Sequence, residues 1–137
     1  MPAGIVHHMS VRPVLASIDQ NTRGERAVVE VTLSARHEFF VGRAEGDGDP
    51  SHRHRLVGEA TLKALQSFAP KMELDLSAVG TSDLAEMTVA LAQVRQDGAV
   101  LVGSAIVTGG DPVMATARAV LNALNRRLEF KPARESG

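Results

Sequence analysis

Hydrophobic and polar residues alternate along three stretches in each half of the chain, and this alternation predicts six β-strands. The pattern is clearest over residues 27–35, where Val29, Val31 and Leu33 fall on one face. A strand of this kind buries one face and leaves the other in solvent. The predicted strands are 12–19, 27–35, 37–45, 72–79, 86–95 and 99–108.

Two features of these strands lead to more specific expectations. In the first strand, Val14, Ala16 and Ile18 lie two residues apart, which predicts that they share one face. The dipeptide Asp97-Gly98 separates the last two strands. This dipeptide favours a two-residue hairpin turn, so we expect those strands to pair antiparallel.

Apolar residues spaced by three and four positions predict one helix in each half, over 51–68 and 113–128. Asp49 and Asp111 stand just before these helices and are predicted N-caps, because a carboxylate accepts hydrogen bonds from free backbone amides. Pro50 and Pro112 follow at the first helical position, where a missing N–H costs little. The apolar stripe of the second helix is Val113, Ala117, Val120, Leu121, Leu124 and Leu128.

Short motifs recur in the same order in the two halves, which indicates an internal duplication. The offset between copies is 61 residues in the strand motif, 62 at the proline and 59 in the helix motif. The first copy therefore has three extra residues near the start of its helix, close to one helical turn. The matched segments are 41–44 with 102–105, 46–50 with 109–112, and 60–66 with 119–125.

These patterns predict an α+β fold of the order βββα–βββα, with two antiparallel three-stranded units around a pseudo-two-fold axis. One such unit has little core of its own, so the two units are expected to share one. We place the duplicated domain at 12–130, with repeats 12–69 and 70–130, a flexible arm at 1–11 and a disordered tail at 131–137. Two-fold symmetry is the commonest closed symmetry, so a homodimer is expected.

Composition narrows the classes of function. The chain has 137 residues, a net charge of −1 and no Cys, Trp or Tyr. It has no excess of basic residues, and with only four Phe it has few of the stacking side chains that nucleic-acid binding uses. No apolar run approaches the ~20 residues of a membrane span, and no secretory leader is evident. We expect a cytoplasmic protein without cofactor, disulfide, nucleic-acid partner or membrane partner.

The order of elements resembles the C-terminal regulatory domain of 2-isopropylmalate synthase and its citramalate synthase relatives. The local likeness is closest where Gly110-Asp111-Pro112 leads into 119–125, whose Ala-Leu-Asn ending is similar to the family's final helix. The family's catalytic barrel has no counterpart in this chain. The resemblance implies an effector-binding dimeric module whose pocket involves the turns near the dimer interface. The residues that match those turns are Gly46, Asp47, Gly48, Asp49, Gly109, Gly110 and Asp111.

The first helix begins with the unusually basic stretch His52-Arg53-His54-Arg55. On a helix, His52 and His54 point about 200° apart and cannot both bind one metal ion. An anion site formed by His52 and Arg53 at the helix N-terminus is one interpretation. We favour a solvated basic turn, because the acidic residues of the preceding turn would repel an anion.

The acidic residues of the two turns can also be interpreted as ligands of a metal ion. Asp47, Asp49 and Asp111 are ligands that a hard cation accepts, but the other ligands of a calcium loop are missing, so capping is favoured and no metal site is predicted. Glu45 and Glu59 are a candidate carboxylate pair, although no spacing brings them together.

Gly42 and Gly103 occupy equivalent positions in the third strand of each half. A glycine there allows either a ligand or another backbone to approach the strand closely. We favour close packing of sheet against helix or a strand bulge over a ligand.

No catalytic constellation is recognisable in the chain, since the phosphate-loop, nucleophile-elbow and zinc-protease motifs are all missing. We therefore expect a non-catalytic regulatory or small-ligand-binding module that forms a homodimer. The alternative is a protein-interaction or assembly module that uses a sheet edge or face. A small enzyme using Asp, Glu, His or Arg is a third possibility.

Overall fold

The computed structural model describes residues 12–136, with side chains as far as Asn125. The predicted flexible arm at 1–11 lies outside the described residues. The fold is α+β, with two antiparallel three-stranded sheets that are each followed by a helix. The predicted duplication of a βββα unit is therefore confirmed.

Each sheet keeps its strands in chain order, so the second strand of each unit is the central one. A short 3-10 turn, Pro50–His52, precedes the first helix. The elements in chain order are β1 (Val14–Arg23), β2 (Arg26–Ala35), β3 (Glu38–Asp47), α1 (Arg53–Phe68), β4 (Leu74–Leu84), β5 (Met87–Gln96), β6 (Ala99–Ile106) and α2 (Pro112–Ser136).

The 3-10 turn accounts for the three extra residues of the first copy. α1 begins at Arg53 and α2 at Pro112, which is the offset of 59 found in the helix motif. The 3-10 turn Pro50–His52 stands between the proline and α1, whereas the second helix starts directly at its proline, Pro112. The insertion is thus absorbed as one tight turn, and the two helices keep the same register against their sheets.

The first strand departs from the predicted alternation. A β-bulge between Leu15 and Ser17 leaves Ala16 without a partner in β2. One inserted residue reverses the faces on its two sides. Leu15 and Ile18 therefore pack on the core, and Val14 is exposed, so the prediction that Val14, Ala16 and Ile18 share a face is wrong. β4 has a bulge at the equivalent place, 61 residues later.

The hairpin turns between the second and third strands are equivalent in the two units. Asp97 and Gly98 have φ values of 50° and 87°, as expected for a two-residue turn that follows the twist of the strands. Arg36 and His37 hold the same places in the first unit, with φ values of 55° and 65°. The predicted hairpin at Asp97-Gly98 is confirmed, and the first unit forms the same turn without glycine.

One hydrophobic core extends through both halves, as predicted. Alternate residues of β2 are fully buried beneath α1, while α2 covers β5 and β6. The two helices pack against each other, and α1 also contacts β4 of the second unit. At that crossing, a Cβ atom on Gly58 would lie 2.8 Å from Leu76 Cδ2, so a larger residue would require the Leu76 side chain to shift.

Gly42 and Gly103 lie where β3 and β6 pass closest to the helices. A Cβ atom on either glycine would overlap the backbone of α1 or α2. The interpretation of these glycines as close sheet–helix packing is therefore confirmed, since the space beside them is filled by the protein itself.

Both helices carry the predicted apolar stripes as far as the side chains are described. α2 continues to Ser136, eight residues past the predicted end at 128. Residues 131–136 have a helical backbone, and Gly137 lies outside the described residues. The disordered tail at 131–137 stays a prediction.

Candidate functional site

The first of the two predicted ligand-binding turns, at 46–49, is organised by its own hydrogen bonds. The Asp47 carboxylate accepts the N–H of Asp49 at 2.9 Å, and the Asp49 carboxylate accepts the N–H of Ser51 at 3.0 Å. The N–H of Gly48 donates to the carbonyl oxygen of Glu25 at 2.7 Å. The carboxylates of this turn therefore hold backbone amides, and Asp49 caps the 3-10 turn as predicted.

The capping role has an electrostatic consequence. Hydrogen bonds from the backbone and side chain of Ser51 lower the pKa of Asp49 below its usual value of 3.8, and nearby His52 acts in the same direction. Asp49 is thus negatively charged at neutral pH. A fixed negative charge beside the basic first turn opposes anion binding there, as the sequence suggested.

The second predicted ligand-binding turn, at 109–111, has a different backbone conformation from the first. Gly109 and Gly110 both adopt left-handed backbone conformations, with φ values of 64° and 71°. Asp111 then accepts the N–H of Val113 at 3.1 Å, which caps α2 as predicted. Among residues 12–125, no hydrogen bond joins this turn to the turn at 46–49. The proposal that these turns bind a ligand stays a prediction.

The two helices are connected by a hydrogen bond near their N-termini. His54 Nδ1 lies 3.0 Å from Thr116 Oγ1. The Thr116 hydroxyl donates to the carbonyl oxygen of Pro112 at 2.7 Å, so its oxygen accepts and His54 Nδ1 donates. Thr116 is buried and His54 is half-buried, which makes this a shielded polar contact between the two units.

His52 and Arg53, the two residues of the predicted anion site, have different surroundings in the fold. His52 is exposed at the end of the 3-10 turn. Arg53 Nη1 donates to Gln20 Oε1 at 2.7 Å and so joins α1 to β1. Its Nε atom is buried and has no hydrogen-bond partner. Arg53 therefore has a structural contact of its own, and the anion site stays a prediction.

The candidate carboxylate pair does not form. Glu45 lies on the side of the first sheet that faces away from α1, within 3.6 Å of Arg26 and of Arg43. Glu59 lies on α1 and pairs with Arg55 at 3.2 Å. Glu45 and Glu59 therefore form ion pairs with different arginines on different surfaces of the protein. Within the described residues, no three His, Asp or Glu side chains are placed to hold a metal ion.

The most distinctive surface is the side of the second sheet that faces away from α2. We call it the apolar face, and it consists of the outward-pointing residues of β4, β5 and β6. Its largest exposed side chains reach 68% exposure at Val102 and 64% at Leu84. The six exposed large apolar residues of this face are Leu84, Met87, Leu91, Val100, Val102 and Ile106.

The corresponding face of the first sheet differs in charge. It presents charged residues on all three strands, whereas the apolar face carries only Asp75 and Arg95. Phe39, Val14 and Val41 are also exposed on the first sheet, where they lie at one end beside Ser34 and Thr32, with the charged residues toward the other end. The charged residues of the first face are Asp19, Arg23, Arg26, Glu30, Arg43, Glu45 and Asp47.

The sequence carries a signal for the apolar face in the sizes of the residues on the two sides of β5 and β6. In β5 and β6 several inward residues are small, as at Ala90, Ala92 and Gly103, and α2 lies close to the sheet at Gly103. Several large apolar residues of the same strands, such as Leu91 and Val102, point outward. Large apolar residues at outward positions of neighbouring strands therefore place an apolar surface on the outside of the second sheet.

Comparison of the chain with protein-family models and with curated proteins found no match. The resemblance to the regulatory domain of 2-isopropylmalate synthase therefore stays a prediction. In the described part of the chain, neither helix is both long and apolar enough to cross a membrane. The fold and the site define a duplicated βββα domain with one polar and one apolar sheet face.

Proposed function

We propose that this chain is a non-catalytic assembly module that binds protein through the apolar face of its second sheet. The observation that supports this proposal is the concentration of six exposed large apolar side chains on one face of one sheet. Single exposed apolar residues are ordinary, but several on one face of a sheet are typical of an interaction surface.

The duplication strengthens this proposal, because the two units provide an internal comparison. The same fold in the first half tolerates a charged outer face, so the βββα unit itself does not require an apolar one. Exposed apolar side chains in a sheet carry an aggregation hazard unless a partner covers them. Twice as many exposed large apolar residues lie on the second sheet as on the first, six against three, and the second face carries only two charges, as a dedicated binding surface would.

The experiment uses the full chain in extracts of cells that contain it. Size fractionation is compared for the wild type, for Val102→Lys and for Val41→Lys, whose positions are equivalent in β6 and β3. We expect the wild type and V41K to migrate in an assembly larger than the 14.5 kDa monomer and V102K to migrate as the monomer. Wild type that migrates as a monomer would contradict the proposal.

A small-ligand regulatory module is the second candidate. The observation that favours it is the contact between His54 and Thr116, which couples the two helices just beyond the predicted ligand-binding turns. A ligand that ordered one turn would act directly on this contact between units. Thermal-shift measurements against amino acids, acyl-CoAs and nucleotides test this candidate, and unchanged melting temperatures across the panel would count against it.

A further inference from the structure

We propose that the partner on the apolar face is a second copy of this chain, with the two second sheets packed face to face around a two-fold axis. This inference rests on the proposed function, because it names the partner of the same surface. Two open sheets that pack about 10 Å apart form a sandwich whose core comes from both inner faces. Here each copy contributes one sheet and keeps its own helix on the opposite side.

The charge pattern of the apolar face favours an identical partner. Its two charged residues, Asp75 and Arg95, are opposite in sign and are direct neighbours across β4 and β5. The face therefore has no net charge, and a copy of it meets no long-range repulsion. A strongly acidic or basic protein partner would gain nothing electrostatically from this surface, whereas a neutral apolar surface would match it.

The size of the face also matches what a specific dimer needs. Its strands contain 11, 10 and 8 residues. At ~3.3 Å per residue and ~4.8 Å between strands, the face measures about 30 Å by 15 Å. Two such faces in contact bury on the order of 1,000 Å², the lower bound for a specific interface. We therefore expect a reversible dimer whose population depends on concentration.

The two-fold relationship follows from the use of one surface by both copies. When a patch binds itself, each contact occurs twice and the assembly closes as a dimer. The polar outer face of the first sheet stays in solvent, which limits growth beyond two copies. In the resulting dimer, the second sheets of the two copies lie face to face in the centre. The first sheet of each copy lies outside this contact.

Sedimentation velocity of the purified full chain over a range of concentrations tests this inference. We expect the wild type to shift from about 14.5 kDa toward twice that mass as concentration rises. Val102→Lys buries a charge in the proposed interface and should weaken dimerisation by at least about ten-fold. Val41→Lys, at the equivalent exposed position of β3, should dimerise like the wild type.

A second variant protects the test against misfolding. Leu91 is 39% exposed at the centre of β5, and Leu91→Gln should weaken the dimer while the circular-dichroism spectrum stays unchanged. A wild type that remains monomeric at every concentration would overturn the inference, as would equal weakening by V102K and V41K. If the purified chain is monomeric while the assembly in extracts is still lost in V102K, the partner is a different protein and the proposed function stands.

Discussion

Gly42 of β3 lies so close to α1 that a Cβ atom placed on it would be 2.0 Å from the carbonyl oxygen of Ala60. The same relationship recurs in the second unit, where a Cβ atom on Gly103 would be 2.1 Å from the carbonyl oxygen of Ala119. Both obstacles are backbone atoms, which cannot rotate away as a side chain can. The duplicated fold therefore depends on one glycine in each unit.

Gly42→Ala should destabilise the protein by about 1–3 kcal/mol or more, because the helix must move away from the sheet. Gly80→Ala is the matched control, since a Cβ atom there meets nothing within 4 Å and its φ is not positive. Because Gly80 pairs with Leu91 on the apolar face, both variants are measured at concentrations where the chain is monomeric. This control should be neutral or gain a few tenths of a kcal/mol from lower unfolded-state entropy. The free energies of unfolding in urea measure both effects, and equal losses would contradict the packing role of Gly42.

The cap at Asp49 predicts a dependence of stability on pH. Hydrogen bonds from Ser51 lower the pKa of Asp49, so the ionised form is favoured in the folded state. The contribution to stability is therefore complete above the usual pKa of 3.8 and is lost as pH falls through the lower folded-state pKa. Asp49→Ala should reduce the melting temperature at pH 7, and its difference from the wild type should shrink in acid.

Asp49→Asn is the control for this prediction, because asparagine caps a helix but does not titrate. Its melting temperature should be close to that of the wild type at pH 7, and the acid-dependent part of the capping contribution should be missing. A difference between wild type and Asp49→Ala that stays constant from pH 7 into the acid range would show that the carboxylate is not responsible.

The contact between His54 and Thr116 predicts energetic coupling between the two units. Thr116→Val removes the acceptor and leaves the half-buried His54 donor unpaired, which should cost about 1 kcal/mol. At the helix offset of 59, the equivalent residues are Val113 and Val57, which are apolar and pack in the shared hydrophobic core. The double variant His54→Leu/Thr116→Val should recover most of the loss.

A double-mutant cycle in urea measures this coupling, with an expected interaction energy of about 0.5–1.5 kcal/mol. Thr116→Ser keeps the hydroxyl and should retain the coupling. Additive effects of the single substitutions at His54 and Thr116 would mean that the contact does not link the units.

The turn at Arg36-His37 predicts a gain in stability. His37 has a left-handed backbone conformation that costs a side-chain-bearing residue about 1–2 kcal/mol, and the equivalent residue in the second unit is Gly98. His37→Gly should raise stability by roughly 0.5 kcal/mol after the entropy cost of glycine. Gly98→Ala, at a φ of 87°, should lower it. Thermal unfolding of both variants checks the prediction, and a loss in His37→Gly would contradict it.

Much of the fold follows from the sequence because the local signals agree with the packing. The alternation over 27–35 corresponds to the fully buried face of β2, and the apolar spacing of both helices corresponds to their contacts with the sheets. The three extra residues before α1 appear as the 3-10 turn. These features are set by residues near one another in the chain.

The features that the sequence did not predict depend on how the strands pair and on how closely the helices approach the sheets. The bulge at Ala16 exists because β1 and β2 contain unequal numbers of residues between two paired points, which alternation within β1 cannot reveal. The outward position of Val102 depends on how closely α2 approaches Gly103 on the other side of the sheet. At the two turns of the predicted site, Asp49 and Asp111 accept capping hydrogen bonds. The apolar face combines residues from three strands, so it depends on how β4, β5 and β6 pair.

The central claim, that the apolar face is the surface by which two copies associate, can be tested most directly by cross-linking. The chain contains no cysteine, so Val102→Cys and Val41→Cys each introduce one thiol at equivalent exposed positions of β6 and β3. With short and long bismaleimide linkers, the account predicts a covalent dimer from Val102→Cys and little dimer from Val41→Cys under native conditions, with the difference abolished in urea. Equal yields from the two variants in the native state would contradict it.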